Sequence, residues 1–156
     1  DKYYNTPSRI VVKKSVKFTD IASIKGKKIG VLKGSTQEKY AMGDLTPAGV
    51  KVSSYDAQDQ VYLDIKSGRL DGTVADYMEV TGGFLSKPEG ANYTLVGPDL
   101  KDPKYFGYGA GIALRKGEDK LKGELNEGIK AIRTSGAYKT IADKYFAKYN
   151  IDIYGE

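Results

Sequence analysis

Two short stretches carry residue types suited to holding a small charged molecule. The first is Gly34-Ser35-Thr36-Gln37, which follows the apolar run Lys28-Ile29-Gly30-Val31-Leu32. Ser35 with Glu38 three residues on has the capping-box form, so a helix opens here. A strand feeding a glycine and then a helix N-terminus presents backbone N–H groups and the positive end of the helix dipole, which suit a carboxylate or a phosphate. The phosphate loop Gly-x-x-x-x-Gly-Lys-Ser/Thr is absent. The second stretch is Asp76, directly after Gly72-Thr73-Val74-Ala75, at the carboxyl edge where open α/β sheets place their ligands. A carboxylate there could hold an ammonium group. Each stretch also has a plainer alternative: a capped helix with no ligand, and an Asp that serves a turn or an N-cap. As a pair they suit a zwitterion.

The remaining composition narrows the chemistry. The chain has 156 residues, no Cys and no His, so thiolate and imidazole nucleophiles, zinc fingers and iron–sulfur sites are excluded. No cofactor or metal site is expected, and catalysis would fall to carboxylates, Lys or Tyr. A net charge of +5 arises from 25 Lys+Arg against 20 Asp+Glu. These are interleaved, with no basic run and no RNP-like or helix-turn-helix pattern, so a solvated surface is expected and nucleic acid is not. No apolar run reaches the ~18 residues of a membrane span, and the N-terminus lacks a signal-peptide pattern.

The elements that position the two stretches follow from periodicity. Ser8 to Lys14 after Pro7 predicts a strand, Ile21 to Ile24 a helical turn, Lys28 to Leu32 a buried strand and Ser35 to Gly43 a helix. Val50 to Tyr55 alternates as a strand, and Gln58 to Lys66 carries Val61, Tyr62 and Ile65 on one helical face before Gly68. Gly72 to Ala75, Met78 to Leu85 and Tyr93 to Val96 read as strand, helix and strand. Strands alternating with helices predict a parallel α/β sheet. Gly107-x-Gly109-x-Gly111 precedes a strand, Ile112 to Arg115, so it is no dinucleotide loop; close backbone approach is the better use. Leu121, Leu125, Ile129 and Ile132, then Tyr138, Ile141 and Tyr145, predict two amphipathic helices whose apolar faces need a partner. Asn92-Tyr93-Thr94 fits the glycosylation sequon, a match frequent by chance.

Ile24 to Glu38, Leu63-Asp64-Ile65-Lys66-Ser67-Gly68-Arg69-Leu70-Asp71-Gly72, Gly111 to Lys116 and Gly136-Ala137-Tyr138 resemble the polar amino acid solute-binding proteins of bacterial ABC importers. Within them the chain is most similar to the lysine/arginine/ornithine- and histidine-binding branch, over essentially its whole length. The resemblance implies an α/β fold like that of the type II periplasmic binding proteins: one complete lobe with a parallel-rich sheet, plus hinge strands and C-terminal helices of the other lobe. Residues 1–14 would be a first-lobe remnant and hinge strand, 15–108 the second lobe, and 109–156 the return strand and first-lobe helices. By position, Thr36 would bond the ligand α-carboxylate, Asp76 its α-ammonium, and Leu32, Ser35 and Gln37 would line the pocket.

The implied function is non-enzymatic: binding of a polar, basic L-amino acid (lysine, arginine, ornithine or histidine) in the periplasm, for delivery to an inner-membrane ABC permease. The chain opens at Asp1-Lys2-Tyr3-Tyr4, inside a family motif, so most of the first lobe is expected to be missing, roughly a third of a family chain. The family's carboxylate-clamping arginine would lie there, and Arg9, in the hinge strand, is not its counterpart. Weak binding and self-association through the orphaned helices are expected. Two alternatives are a dehydratase-like enzyme on the same fold and a sensing module of a receptor; Tyr154-Gly155-Glu156 resembles a family ending and disfavours the latter.

Overall fold

The structure is a computed structural model and describes residues 1–149 and 153. Tyr154, Gly155 and Glu156 lie outside the described residues. In chain order the elements are β1 (Lys2–Tyr4), β2 (Ser8–Lys13), β3 (Lys28–Leu32), α1 (Thr36–Tyr40), β4 (Lys51–Tyr55), α2 (Gln58–Lys66), β5 (Gly72–Asp76), α3 (Tyr77–Val80), β6 (Tyr93–Leu100), α4 (Pro103–Phe106), β7 (Ala110–Gly111), α5 (Asp119–Thr134) and α6 (Ala137–Phe146). They form two units, one of Pro7–Gly107 and one of Asp1–Thr6 with the chain from Tyr108 onward.

In the larger unit a five-stranded sheet runs in the order β4-β3-β5-β2-β6. β3 pairs in parallel with β4 and β5, whereas β2 runs antiparallel to both β5 and β6. The sheet is therefore mixed, with two parallel and two antiparallel pairings, because Ser8–Lys13 inserts between two strands that follow it in sequence. Its alternation explains the insertion. Ile10 and Val12 enter the apolar cluster on one face, with Ile29, Val31, Tyr40 and Leu45, while Val11 enters the cluster on the other, with Val61, Ile65, Val80 and Phe84. A strand apolar on both faces is at home only in a covered sheet. Its fit against β5 leaves no room for a side chain at Gly72, where a Cβ would sit 2.0 Å from the Val11 carbonyl oxygen.

Four local expectations change. The helix predicted to end at Gly43 is α only to Tyr40 and widens into a π turn over Ala41–Leu45, closed by the Thr46 N–H on the Ala41 carbonyl (2.9 Å). The Met78–Leu85 helix does the same: α3 gives way to a π turn over Thr81–Leu85, with the Ser86 N–H on the Thr81 carbonyl (3.0 Å). β6 does not stop before Gly97-Pro98 but continues to Leu100. It lies at the sheet edge, where Pro can be tolerated, and its register shifts from Ile10↔Val96 to Ser8↔Leu100. Arg9 spans that irregularity, donating to Asp99 Oδ1 (3.1 Å) and to the Gly97 carbonyl (2.9 Å). Finally, Ile112–Arg115 is not a strand; only Ala110–Gly111 is, pairing with β1. Neither β1 nor α4 was evident from the sequence, since each is a short element of three or four residues.

In the smaller unit, β1 and β7 form a two-stranded antiparallel ladder beside α5 and α6. The Arg133 guanidinium donates to the Lys2 carbonyl (2.9 Å) and the Tyr138 hydroxyl to the Tyr3 carbonyl (2.8 Å). Ile129 and Tyr138 are buried, but Leu121, Ile132, Ile141 and Tyr145 of the predicted apolar faces stay exposed, Ile141 at 58%.

Candidate functional site

The path of the chain reverses its winding direction within the larger unit. From β3 it passes through α1 to β4 on one side, and from β4 through α2 back to β5 on the other. The covering helices sit on opposite faces, since Tyr40 and Ala41 join the Ile10 and Val12 cluster while Val61 and Ile65 join that of Val11. The carboxyl ends of β3 and β5 thus flank a topological switch point, the place where open α/β sheets admit ligands.

All five residues singled out from the sequence lie at those two ends. Leu32 is the last residue of β3 and Asp76 the last of β5. Ser35 is the N-cap of α1, its Oγ accepting from the Glu38 N–H (3.0 Å) and donating to the Leu32 carbonyl (2.6 Å). The return arm of the expected capping box is displaced by one residue: Glu38 Oε2 takes the Gly34 N–H (2.7 Å), and Ser54 donates to Glu38 Oε1. Those two hydrogen bonds hold the Glu38 carboxyl below its ordinary range. Glu38 is thereby committed to the loop, while among the described residues no side chain caps the N–H groups of Thr36 and Gln37, which open the helix.

Thr36 is exposed, and its hydroxyl donates to Gln37 Oε1 at 3.3 Å, a long contact that a better acceptor can displace. The Gln37 carboxamide N–H donates to Ser8 Oγ at 2.8 Å. Ser8 stands opposite Asp76 in the β2–β5 register. Asp76 is itself the N-cap of α3, its Oδ1 accepting from the N–H groups of Met78 (2.9 Å) and Glu79 (3.2 Å). The capping role weighed against ligand binding is therefore real, and it leaves the carboxylate fixed in place at the switch point. The Tyr77 N–H, donating to the Pro7 carbonyl (2.9 Å), secures the same corner.

Ser8 was not among the residues singled out. A signal was present, because Ser8, Ile10 and Val12 share a face by strand alternation and a hydroxyl in that series asks for a partner. Arg9, at the next position, is absorbed by Gly97 and Asp99 away from this role. Two surface hollows lie elsewhere: one of about 380 Å³ in the smaller unit beside Ile112, Leu125 and Ile129, and one of about 240 Å³ between α2 and the Thr81–Leu85 turn, beside Tyr62, Leu63 and Phe84.

A polar pair at a switch point is shared by many folds, so relatives decide the family. The model of the bacterial extracellular solute-binding proteins, family 3, matches residues 1–148. The chain belongs to that family. It is 50% identical over 156 residues to the L-arginine-binding protein of Pseudomonas aeruginosa, covering 99% of this chain and 59% of that protein. It is 40% identical to the histidine-binding periplasmic protein of Salmonella typhimurium (99% of this chain, 59% of the relative). The lysine/arginine/ornithine-binding periplasmic protein of Escherichia coli is likewise 40% identical (100% and 59%). Among solved structures, an ancestral arginine-binding protein bound to arginine superposes with a TM-score of 0.79 at 32% identity, over 94% of this chain and 62% of that one. The family member described here thus spans 59% of the length of these curated relatives.

Proposed function

We propose that the protein is the amino-acid-binding component of an ABC importer, taking a basic L-amino acid and working by capture and release with no turnover. The observation that supports this most is the junction of β3–α1 and β5–α3. The opening of α1, with the Thr36 hydroxyl, lies at the same switch point as the Asp76 carboxylate. In this reading Thr36 takes the α-carboxylate and Asp76 pairs with the α-ammonium, while Leu32, Ser35 and Gln37 line the pocket. The solute class, lysine, arginine, ornithine or histidine, is carried over from the relatives' names. A periplasmic location and delivery to an inner-membrane permease follow from the same kinship. The passages at Thr6–Pro7 and Gly107–Tyr108 would act as the crossings between lobes. The exposed stripe of Leu121, Ile132, Ile141 and Tyr145 favours self-association of the chain on its own.

Affinity follows from arithmetic. Micromolar to nanomolar binding needs ~8 to 12 kcal/mol, and an exposed helix terminus contributes only ~0.3 to 1 kcal/mol. This chain, with Thr36 open to water, is expected to bind L-arginine in the millimolar range or more weakly. Saturation-transfer NMR with L-arginine, L-lysine, L-histidine and L-glutamate tests this, with the first three preferred. Saturable micromolar binding to a verified monomer, or a preference for L-glutamate, refutes it.

A further inference from the structure

The β3 and β5 strands that carry the two halves of the site are joined by ladder pairs only at Ile29↔Gly72 and Gly30↔Thr73. Leu32 and Asp76 lie beyond those pairs, so the ladder does not set the distance between the opening of α1 and the Asp76 carboxylate. A different connection spans them. Ser8 is 3% exposed, and its hydroxyl accepts the Gln37 carboxamide N–H at 2.8 Å. Gln37 in turn accepts from Thr36 at 3.3 Å. On the other side Ser8 is the register partner of Asp76, and the preceding Pro7 carbonyl accepts the Tyr77 N–H at 2.9 Å. The dipeptide Pro7-Ser8 therefore receives the first turn of α1 from one side and the start of α3 from the other.

We propose that Ser8 is a positioning residue of the amino-acid site: through Gln37 its hydroxyl sets the separation between the Thr36 end and the Asp76 end. The inference rests on the function proposed above. A buried hydroxyl beside Ile10 and Val12 is retained at a cost unless it is bonded, and here its bond ties the two ends of the site. Its consequence is selective. A ligand that engages both ends depends on their separation, whereas a ligand that engages one end does not.

L-arginine has both α-groups, and agmatine, its decarboxylated analogue, lacks the carboxylate. Titrations of the full chain with each, followed by ¹⁵N–¹H NMR, compare wild type, Ser8→Ala and Ser8→Thr. Loss of one net hydrogen bond corresponds to roughly 2- to 12-fold in affinity. Ser8→Ala is expected to weaken L-arginine by that factor, to leave agmatine within about twofold, and to speed exchange of the Gln37 side-chain amide protons. Ser8→Thr, which keeps the hydroxyl, restores the wild-type ratio. Equal weakening of both ligands, as partial unfolding would give, overturns the inference, and so does an unchanged ratio in Ser8→Ala. A wild-type protein in which neither ligand shifts Thr36, Gln37 and Asp76 overturns the amino-acid reading and the inference with it. Ser8→Cys keeps nearly the same size but offers only a weak acceptor, so if Ser8→Ala does not fold, this variant must show the same arginine-selective loss.

Discussion

Asp76 carries two duties that substitution can separate. Its Oδ1 caps α3 through Met78 and Glu79 at 2.9 and 3.2 Å, and its charge is assigned to a ligand ammonium group. Asn caps about as well as Asp, so Asp76→Asn keeps the Oδ1 acceptor for the cap and gives up the charge, whose interaction with the helix dipole contributes about 0.3 to 1 kcal/mol. Asp76→Ala loses the cap as well, a further ~0.5 to 2 kcal/mol, typically ~1. For a domain the size of Pro7–Gly107, 1 kcal/mol is about 4 to 8 °C in Tm. Urea and thermal unfolding, followed by circular dichroism, should place Asp76→Ala several degrees below Asp76→Asn. In ligand titrations both variants should lose most binding, because a charged hydrogen bond contributes ~1.5 to 3 kcal/mol, or roughly 10- to 150-fold. If Asp76→Asn is as unstable as Asp76→Ala, the charge is engaged in the fold and the separation of roles is wrong. If Asp76→Asn binds L-arginine like wild type, the carboxylate is not the ammonium partner.

Two further outcomes follow from the same geometry. Gly72→Ala would drive a Cβ to 2.0 Å from the Val11 carbonyl at the centre of the sheet, a backbone neighbour that cannot rotate away. It should lower unfolding free energy by about 1 to 3 kcal/mol or more, and a change under about 0.5 kcal/mol, as at an unconstrained surface site, would contradict the β2–β5 packing. Glu38 has a folded pKa below its ordinary value of 4.5, owing to Ser54 first and then the Gly34 N–H. Its stabilisation is therefore full above that ordinary value and is lost as pH falls through the lowered folded value. Stability against pH for wild type and Glu38→Gln should converge in acid, separate as pH rises toward 4.5 and keep a constant gap above it; curves parallel over the whole range would refute the loop contacts.

How much of this was legible beforehand depends on whether the signal was local. The Ser35 cap, the Leu32 and Asp76 strand ends, the Gly34–Gln37 helix opening and the amphipathic α5 and α6 are written in neighbouring residues, and the resemblance supplied the ligand roles proposed for Thr36 and Gln37. The antiparallel insertion of β2 was not, because Ser8–Lys13 reads as a buried strand whichever way it runs, and only its pairing with β5 and β6 gives its direction. The π turns were hidden for a related reason: an i to i+5 bond such as Ala41 to Thr46 leaves the apolar pattern nearly helical. The Ser8–Gln37 link joins residues 29 apart in sequence and had only a polar residue on an apolar strand face to announce it.

The central claim is that the carboxyl edge between β3 and β5 is where an amino acid binds. The most direct measurement is a ¹⁵N–¹H NMR titration of the assigned protein with L-arginine to tens of millimolar. The account predicts concentration-dependent shifts concentrated at Ser8, Leu32, Ser35–Gln37 and Asp76–Met78, saturating in the millimolar range or above. Shifts centred instead on the hollow beside Tyr62, Leu63 and Phe84, or none at those site residues, would contradict it.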